Sequence, residues 1–178
     1  TVTGLTNGVA CTFTVTASNS VATSSASAAS SSVTPTSPTS RVFAYTANYS
    51  GSGSISSYSV NPDTGELTSL GSNIALSSLG VAVVPDPTGR FLYVRSITSS
   101  LMSIFSINPS TGALTSTGAD VSVGSATTSQ FTIERTGRFA YILNPGSTVN
   151  VFSIDQTTGA LTSTGASVST GSSPVSAV

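Results

Sequence analysis

The chain has 178 residues, which fits one domain of ordinary size or two small ones. Only 6% of the residues are charged, the formal net charge is −1, and each of the five basic residues is an arginine. Without a basic patch the chain is a poor partner for nucleic acid, and no run approaches the roughly 20 apolar residues of a membrane span. We therefore predict neither nucleic-acid binding nor a membrane-spanning segment.

The polar character of the chain comes from hydroxyl groups, because it contains 38 Ser and 28 Thr. A surface with so few charges has little electrostatic repulsion to keep copies apart, which favours self-association. We interpret this composition as that of an extracellular or cell-surface protein. The chain has no His and one cysteine, Cys11, so an intrachain disulfide is excluded and the commonest general base is missing. Cys11 is either a functional residue, as a reactive thiol or in an intermolecular disulfide, or a small buried apolar residue, and we favour the buried apolar residue.

Residues 1–33 have the pattern of the end of a β domain. Apolar residues alternate from Cys11 to Ala17, which predicts a strand, and a second extended stretch runs to Val33. The run Thr3–Asn19 resembles the last third of a bacterial fibronectin type III domain, with Cys11 where that family has a tyrosine. The resemblance implies that residues 1–33 are the C-terminal strands of a fibronectin III-like sandwich, which another part must complete.

A linker and then a repeated unit follow. Residues 34–40 are all Pro, Ser or Thr, a composition typical of a semi-extended linker between domains. From residue 41 a Phe-x-Tyr marker recurs every 48 residues, beginning at Phe43, Phe91 and Phe139. We therefore place a domain boundary in the linker and expect a repeat architecture after it.

A second marker repeats with nearly the same period. The run Thr-Gly-x-Leu-Thr-Ser begins at Thr64, Thr111 and Thr158, each 47 residues after the last. Each unit holds four strand-like stretches with Asn, Pro and Gly turn signals between them. Four strands in a repeat of this length are typical of a propeller blade. The predicted fold is all-β: a partial fibronectin III-like sandwich followed by three blades, at about residues 41–89, 90–137 and 138–178.

These repeats resemble the lactonase-type, YVTN-like β-propeller family. The runs Thr88–Val94 and Ile107–Leu114 match the pattern Thr-Gly-Arg-Phe-x-Tyr-Val followed by Ile-Asx-Pro-x-Thr-Gly-x-Leu. The family usually closes with about seven blades, so the resemblance implies that three blades leave two open sheet faces. It also implies an enzyme whose axial funnel holds His, Arg and acidic side chains, whereas this chain has no His.

Two acidic residues each precede an arginine by four positions at the entry to a blade. These pairs are Asp86 with Arg90 and Glu134 with Arg138. A catalytic role is conceivable, but the recurrence in each repeat favours a side chain that shapes the turn between blades. The remaining acidic residues lack the spacing of a calcium loop and predict no metal site: Asp63, Glu66, Asp120 and Asp155. We therefore predict no catalytic, cofactor-binding or metal-binding residue and no cofactor.

The aromatic residues and one sequon remain. Most aromatics recur at equivalent strand positions, so we interpret them as core residues and not as a carbohydrate platform. Tyr49 lies off the repeat, in a loop, and is the expected exposed contact. It also lies within Asn48-Tyr49-Ser50, an acceptor sequence for N-glycosylation, and we leave open whether Asn48 is modified.

Three functions are compatible with these observations. The first, which we favour here, is a secreted or surface structural protein, not an enzyme, that adheres or forms filaments when neighbouring chains complete its open modules. Its partners would be other copies, missing parts of the same parent protein, or a surface polysaccharide. The second is a carbohydrate- or ligand-binding propeller of a secreted multidomain enzyme. The third is a fragment of a lactonase-like enzyme with catalytic residues elsewhere.

Overall fold

The computed structural model describes residues 2–6, 8–35, 41–118, 120–124, 130–144 and 147–171. It divides into two compact units, Thr1–Ser40 and Arg41–Val178. The predicted linker lies largely outside the described residues, because only Thr34 and Pro35 of it are described.

The first unit, taken by itself, is an irregular hairpin. Three serines face three residues of the other arm: Ser24 faces Ala17, Ser27 faces Val15, and Ser30 faces Phe13. In each pair the serine N–H donates to the carbonyl of the facing residue, and the serine hydroxyl oxygen accepts a hydrogen bond from the N–H of that residue. Because successive serines are three residues apart while their partners are two residues apart, no regular ladder forms. The pair Cys11↔Val33 is an isolated bridge. The segment predicted as a strand is thus extended but irregular, and Cys11 is partly exposed. The fibronectin III-like assignment of residues 1–33 stays a prediction.

The second unit is all-β, as predicted, and consists of three antiparallel sheets. Sheet 1 contains β1 (Val42–Asn48), β2 (Ser54–Val60), β3 (Leu67–Ser69) and β4 (Ile74–Ala75). Sheet 2 contains β5 (Gly80–Pro85), β6 (Phe91–Ser96), β7 (Leu101–Ile107), β8 (Leu114–Ser116) and β9 (Val121–Ser122). Sheet 3 contains β10 (Phe131–Ile133), β11 (Phe139–Asn144), β12 (Thr148–Ile154) and β13 (Leu161–Ser169). The described residues form no helix that could cross a membrane.

The repeat markers occupy equivalent positions in the three sheets. The Phe-x-Tyr runs begin β11 and β6 and fall one residue into β1. Their tyrosines pair across the ladder with β2, β7 and β12 in the same register: Tyr45↔Ser57, Tyr93↔Ile104 and Tyr141↔Val151. The outer strand differs between sheets 2 and 3. In sheet 2, β8 and β9 pair separately with β7, whereas β13 of sheet 3 is continuous and its pairing with β12 shifts register between Asn150 and Phe152.

The sheets do not begin where the sequence repeats begin. Residues 81–84 were grouped with the first repeat, but β5 pairs with β6 and is the first strand of sheet 2. The reason is local, since the tight turn after Pro85 returns the chain directly onto Phe91. A sequence period shows where a unit recurs but not which strand opens each sheet.

The hydrophobic core lies between sheets. Along β6, which is buried throughout, alternate side chains point to opposite faces, so Leu92 and Val94 pack with sheet 1 residues while Phe91 and Tyr93 pack with sheet 3 residues. Strand β5 contacts both β1 and β10, as inner strands do when sheets are arranged about an axis. This arrangement confirms the propeller part of the predicted fold.

Candidate functional site

The sheets are joined by a contact that is made twice with the same residue types. The ring of Phe43 in sheet 1 covers Gly112 in sheet 2, where a Cβ would lie 2.4 Å from the ring. Beside it, the hydroxyl of Tyr45 donates a hydrogen bond of 2.9 Å to the Gly112 carbonyl. Burial raises the pKa of Tyr45 to about 12. We call this two-part contact the inter-sheet latch.

The second latch joins sheet 2 to sheet 3. Phe91 covers Gly159, where a Cβ would lie 2.6 Å from the ring, and Tyr93 donates a hydrogen bond of 2.8 Å to the Gly159 carbonyl. Burial raises the pKa of Tyr93, and the nearby negative charge of Asp86 adds to that effect. The latches therefore give these aromatic residues a packing role, as their recurrence in the sequence predicted.

The carboxylate of Asp86 is buried and organises the turn before β6. Its oxygens accept hydrogen bonds from the main-chain N–H groups of Arg90 at 2.7 Å and Phe91 at 2.8 Å, and from the N–H and hydroxyl of Thr88. The guanidinium of Arg90 points elsewhere: it lies 5.4 Å from the centre of the Phe91 ring and donates to the carbonyl and side-chain oxygens of Gln156 in sheet 3. Asp86 thus shapes the turn and Arg90 joins two sheets.

Glu134 plays the same part in the turn before β11. Its carboxylate accepts hydrogen bonds of 2.7 Å from the N–H groups of Thr136 and Arg138, and another from the Thr136 hydroxyl. These hydrogen bonds, those from Thr136 first, lower the pKa of Glu134 to about 2. Arg138 lies over the Phe139 ring at 5.7 Å. In both turns the carboxylate holds main-chain N–H groups, the arrangement that a turn-forming role requires.

A cleft of about 360 Å³ opens between sheets 1 and 2 beside the first latch. We call it the turn-face cleft; its lining includes Arg41, Phe43, Tyr45, Asp86, Pro87 and Pro109. At the equivalent place between sheets 2 and 3, Arg90 and Gln156 meet. At the cleft, Val42 takes the repeat position of Arg90 and Pro109 takes that of Gln156. Neither can form the bridging hydrogen bonds, which explains why a space remains here.

Buried polar side chains lie at the ends of β6 and β11, and none of them was predicted from the sequence. Arg95 is fully buried, and desolvation lowers its pKa. Ser96 and Asn144 are also buried. Among the described residues no partner reaches the Asn144 side-chain oxygen, which lies 2.8 Å from where a Cβ on Gly124 would be. An arginine directly after a run as apolar as Phe91–Val94 is the sequence signal that could have identified this group.

The other acidic residues lie apart. Asp63 and Glu66 are exposed at a turn, and Asp120 accepts a hydrogen bond from the Ser77 hydroxyl. Asp155 accepts hydrogen bonds from two main-chain N–H groups of its own turn, which lower its pKa. In the described part of the chain no three His, Cys, Asp or Glu side chains come together as metal ligands would.

Two candidate residues lie where β1 ends, Asn48 and Tyr49, and Tyr49 is exposed as predicted. Tyr49 is 67% exposed. Asn48 is partly buried, and its side-chain nitrogen donates hydrogen bonds to the hydroxyls of Ser54 at 3.0 Å and Ser56 at 2.8 Å. A glycan on this nitrogen would leave it only one N–H and so remove at least one of the two bonds, which disfavours modification of Asn48.

Comparison with solved structures supports the fold. The periplasmic gluconolactonase of Pseudomonas aeruginosa is 26% identical with a TM-score of 0.60, over 78% of this chain and 42% of that one. A Bacteroides fragilis protein provisionally described as a 6-phosphogluconolactonase is 22% identical with a TM-score of 0.66, over 75% of this chain and 37% of that one. A Bacteroides uniformis protein with the same provisional description gives the same identity and TM-score. The chain thus spans less than half the length of these structures. No curated protein matches it.

A family model gives the decisive match. The model described as lactonase, 7-bladed beta-propeller, matches residues 6–131, which include sheets 1 and 2 and most of residues 1–33. The expectation that the protein is not an enzyme is therefore wrong, because it rested on the absence of His while the matched family is one of lactonases. The chain belongs to the lactonase family of seven-bladed β-propellers.

Proposed function

We propose that this chain is part of an enzyme that hydrolyses a sugar lactone. The observation that carries the proposal is the match of residues 6–131 to the lactonase family. The P. aeruginosa relative, named a periplasmic gluconolactonase, supports both the substrate class and an exported location. The adhesive or filament-forming role rests on composition and on the expectation that neighbouring chains complete the open modules, and we do not favour it.

Opening a lactone needs few chemical groups. Water attacks the carbonyl carbon, the ring C–O bond breaks, and the proton released by the water passes to the ring oxygen, which yields a hydroxy acid. An enzyme assists by removing that proton and by stabilising the charge on the carbonyl oxygen. No electrons are transferred to or from the substrate in this reaction.

We place the substrate in the turn-face cleft. Its volume, about 360 Å³, lies within the range of about 300–1,000 Å³ that holds small-molecule ligands. Arg41 supplies a positive charge there that suits a lactone carbonyl or a substrate phosphate. The oxygens of Asp86 already accept hydrogen bonds from their own turn, so the carboxylate is engaged in shaping that turn. We therefore assign Arg41 a binding role and name no base in this chain.

The test is hydrolysis of gluconolactone and of 6-phosphogluconolactone, followed as acid release above the spontaneous rate in buffer. The protein is assayed as isolated from its natural source and as the 178-residue chain, with Arg41→Ala and, as a control away from the cleft, Tyr49→Phe. We expect catalysed hydrolysis of one substrate and a KM raised by Arg41→Ala but not by Tyr49→Phe. No rate above buffer with either preparation overturns the enzymatic proposal, and an unchanged KM overturns the placement in the cleft.

A further inference from the structure

A second cleft opens between sheets 1 and 2, in the outer half of their interface. Its volume is about 290 Å³; β7 and β8 of sheet 2 form one wall, and the end of β4 with the residues that follow it forms the other. We call it the outer cleft; its lining includes Leu76, Ser77, Ser103, Phe105, Ser116 and Asp120. It shares no described residue with the turn-face cleft, and β6 separates its wall from β5, the inner strand of sheet 2. Both of its walls are formed within this chain.

The carboxylate of Asp120 is held across the interface by one of its two oxygens. Its Oδ2 accepts a hydrogen bond from the hydroxyl of Ser77 in sheet 1. Within the described part of the chain, Oδ1 of Asp120 accepts no hydrogen bond and the hydroxyl of Ser103 makes none. A carboxylate has about four acceptor positions, and a serine hydroxyl both donates and accepts. The outer cleft is therefore lined by an acceptor and a hydroxyl that both have hydrogen-bonding capacity left.

The equivalent pair of side chains in sheet 1 is bonded directly. Ser56 and Asn73 occupy the repeat positions of Ser103 and Asp120. The Ser56 hydroxyl donates a hydrogen bond of 2.9 Å to the side-chain oxygen of Asn73. In sheet 2 the acidic side chain instead reaches across to Ser77, and its bond to the serine of its own sheet is not made. The contact across the interface thus leaves both groups available at the cleft.

The same place between sheets 2 and 3 is filled by larger side chains. There Asn150 takes the repeat position of Ser103, and Gly124 takes that of Ser77. A Cβ on Gly124 would lie 2.8 Å from the side-chain oxygen of Asn144 and 3.6 Å from the side-chain nitrogen of Asn150. The outer cleft is therefore particular to one interface, because small serines stand where the next interface has asparagines close to a glycine.

The lining favours a neutral ligand that is rich in hydroxyl groups. None of the described lining residues is basic and Asp120 is an acid, so a phosphate or carboxylate would be repelled. Oδ1 of Asp120 can accept from one ligand hydroxyl while the Ser103 hydroxyl bonds to the next. Leu76 and Phe105 supply an apolar surface for the C–H groups of a sugar ring. The volume lies just below the usual range of about 300–1,000 Å³ for small-molecule sites, which suits a single ring.

We propose that the outer cleft binds a neutral sugar, with Asp120 accepting a hydrogen bond from one sugar hydroxyl and Ser103 bonding to the adjacent hydroxyl. The site is separate from the turn-face cleft, where Arg41 supplies a positive charge. Sugar binding at the outer cleft does not require hydrolysis of a lactone, so the two proposals can fail independently. A few hydrogen bonds to a single ring correspond to a dissociation constant of about 1 mM.

The test is saturation-transfer NMR with glucose, galactose, mannose and the methyl glycoside of each. The protein is isolated from its natural source, with each variant introduced into its own gene. We expect saturation transfer to at least one of these sugars. Signals from free sugars alone identify a free monosaccharide as the ligand, and signals from a methyl glycoside as well identify the end of a polysaccharide.

Three variants test the two polar groups and the space between the sheets. Ser103→Ala removes a hydroxyl and should weaken sugar binding by about fivefold to tenfold. Asp120→Asn removes the charge but keeps an oxygen for Ser77, as Asn73 does for Ser56, and should weaken binding by about tenfold. Ser103→Asn introduces the larger residue that sheet 3 has at this position and should abolish binding.

Matched controls separate these effects from general damage. Ser106→Ala removes a hydroxyl from the opposite face of β7, and Asp63→Asn removes the same charge from an exposed turn; neither should change sugar binding. Thermal unfolding verifies that each variant is folded. Saturation transfer to none of the sugars, or binding by Ser103→Ala and Asp120→Asn equal to that of wild type, would overturn the proposal. A loss of binding in Arg41→Ala instead would place the sugar in the turn-face cleft and overturn it as well.

Discussion

The hydroxyl of Tyr93 donates a hydrogen bond of 2.8 Å to the carbonyl of Gly159, 66 residues further along the chain. Tyr45 makes the same bond to Gly112 across 67 residues. Each bond ties the strand that carries the Phe-x-Tyr marker to the turn of the next sheet that carries the Thr-Gly-x-Leu marker. The two sequence markers are therefore the two halves of one physical contact, which accounts for their nearly equal periods.

Replacing Tyr93 by Phe removes this hydroxyl and leaves the buried Gly159 carbonyl without its donor. We expect the variant to lose about 1–2 kcal/mol of unfolding free energy, the usual cost of an unsatisfied buried acceptor. Urea denaturation followed by circular dichroism measures the change. Tyr49→Phe, at a tyrosine that is 67% exposed, is the control and should be neutral. If Tyr93→Phe and wild type were equally stable, the hydrogen bond would not contribute to the stability of the latch.

Gly112→Ala tests the other half of the latch. The added Cβ would lie 2.4 Å from the Phe43 ring, at a backbone φ of +72°. Gly65→Ala imposes nearly the same backbone strain, at φ +74°, without any atom to clash with. We expect Gly65→Ala to cost about 1 kcal/mol and Gly112→Ala about 2 kcal/mol more, in thermal or urea unfolding at concentrations where the chain is monomeric. Equal costs would show that the ring moves aside freely.

The sequence was enough to predict the sheets and the faces that pack together. Phe91 and Tyr93 recur with a fixed period because the same latch must form at each interface. The first strand of each sheet was not predictable, since β5 could pair with either neighbouring repeat and a tight turn decides between them. The split of the outer strand into β8 and β9 was not predictable either, because Gly118 and its repeat equivalent Gly165 both have a positive φ while β13 stays continuous.

The candidate site was less predictable than the fold. The absence of His suggested a protein without catalysis, but a lactonase site can use other residues or residues from other sheets. The turn-face cleft exists because Val42 and Pro109 replace a bridging Arg and Gln pair, a difference visible only when two interfaces are compared in space. Asp86 acts on its own turn, and an acidic residue, Glu134, stands at the equivalent position of the next repeat. That recurrence was enough to predict a turn-forming carboxylate.

Asp86→Ala should destabilise the fold more than any other loss of an acidic side chain. The buried carboxylate accepts hydrogen bonds from the main chain of Thr88, Arg90 and Phe91, and all three donors would be left unpaired. We expect a loss of about 2–4 kcal/mol. Asp63→Ala, at an exposed turn residue, should change the stability by less than about 0.5 kcal/mol. Calorimetric melting compares the two variants, and similar melting temperatures would contradict the assignment.

The last prediction concerns acid. The pKa of Glu134 is about 2 in the folded protein against 4.5 as its ordinary value, because hydrogen bonds from Thr136 and the main chain stabilise the carboxylate. A group with a lowered folded pKa stabilises the fold fully above pH 4.5, and that contribution disappears as the pH falls toward 2. Glu134→Gln has no carboxylate to titrate, so it should be less stable than wild type at pH 7 and depend less on pH below 4.5. Subtracting the two stability curves removes the contribution of Asp155, whose pKa is also lowered. A difference that stays constant between pH 7 and the acid limit would mean that Glu134 acts only by its shape.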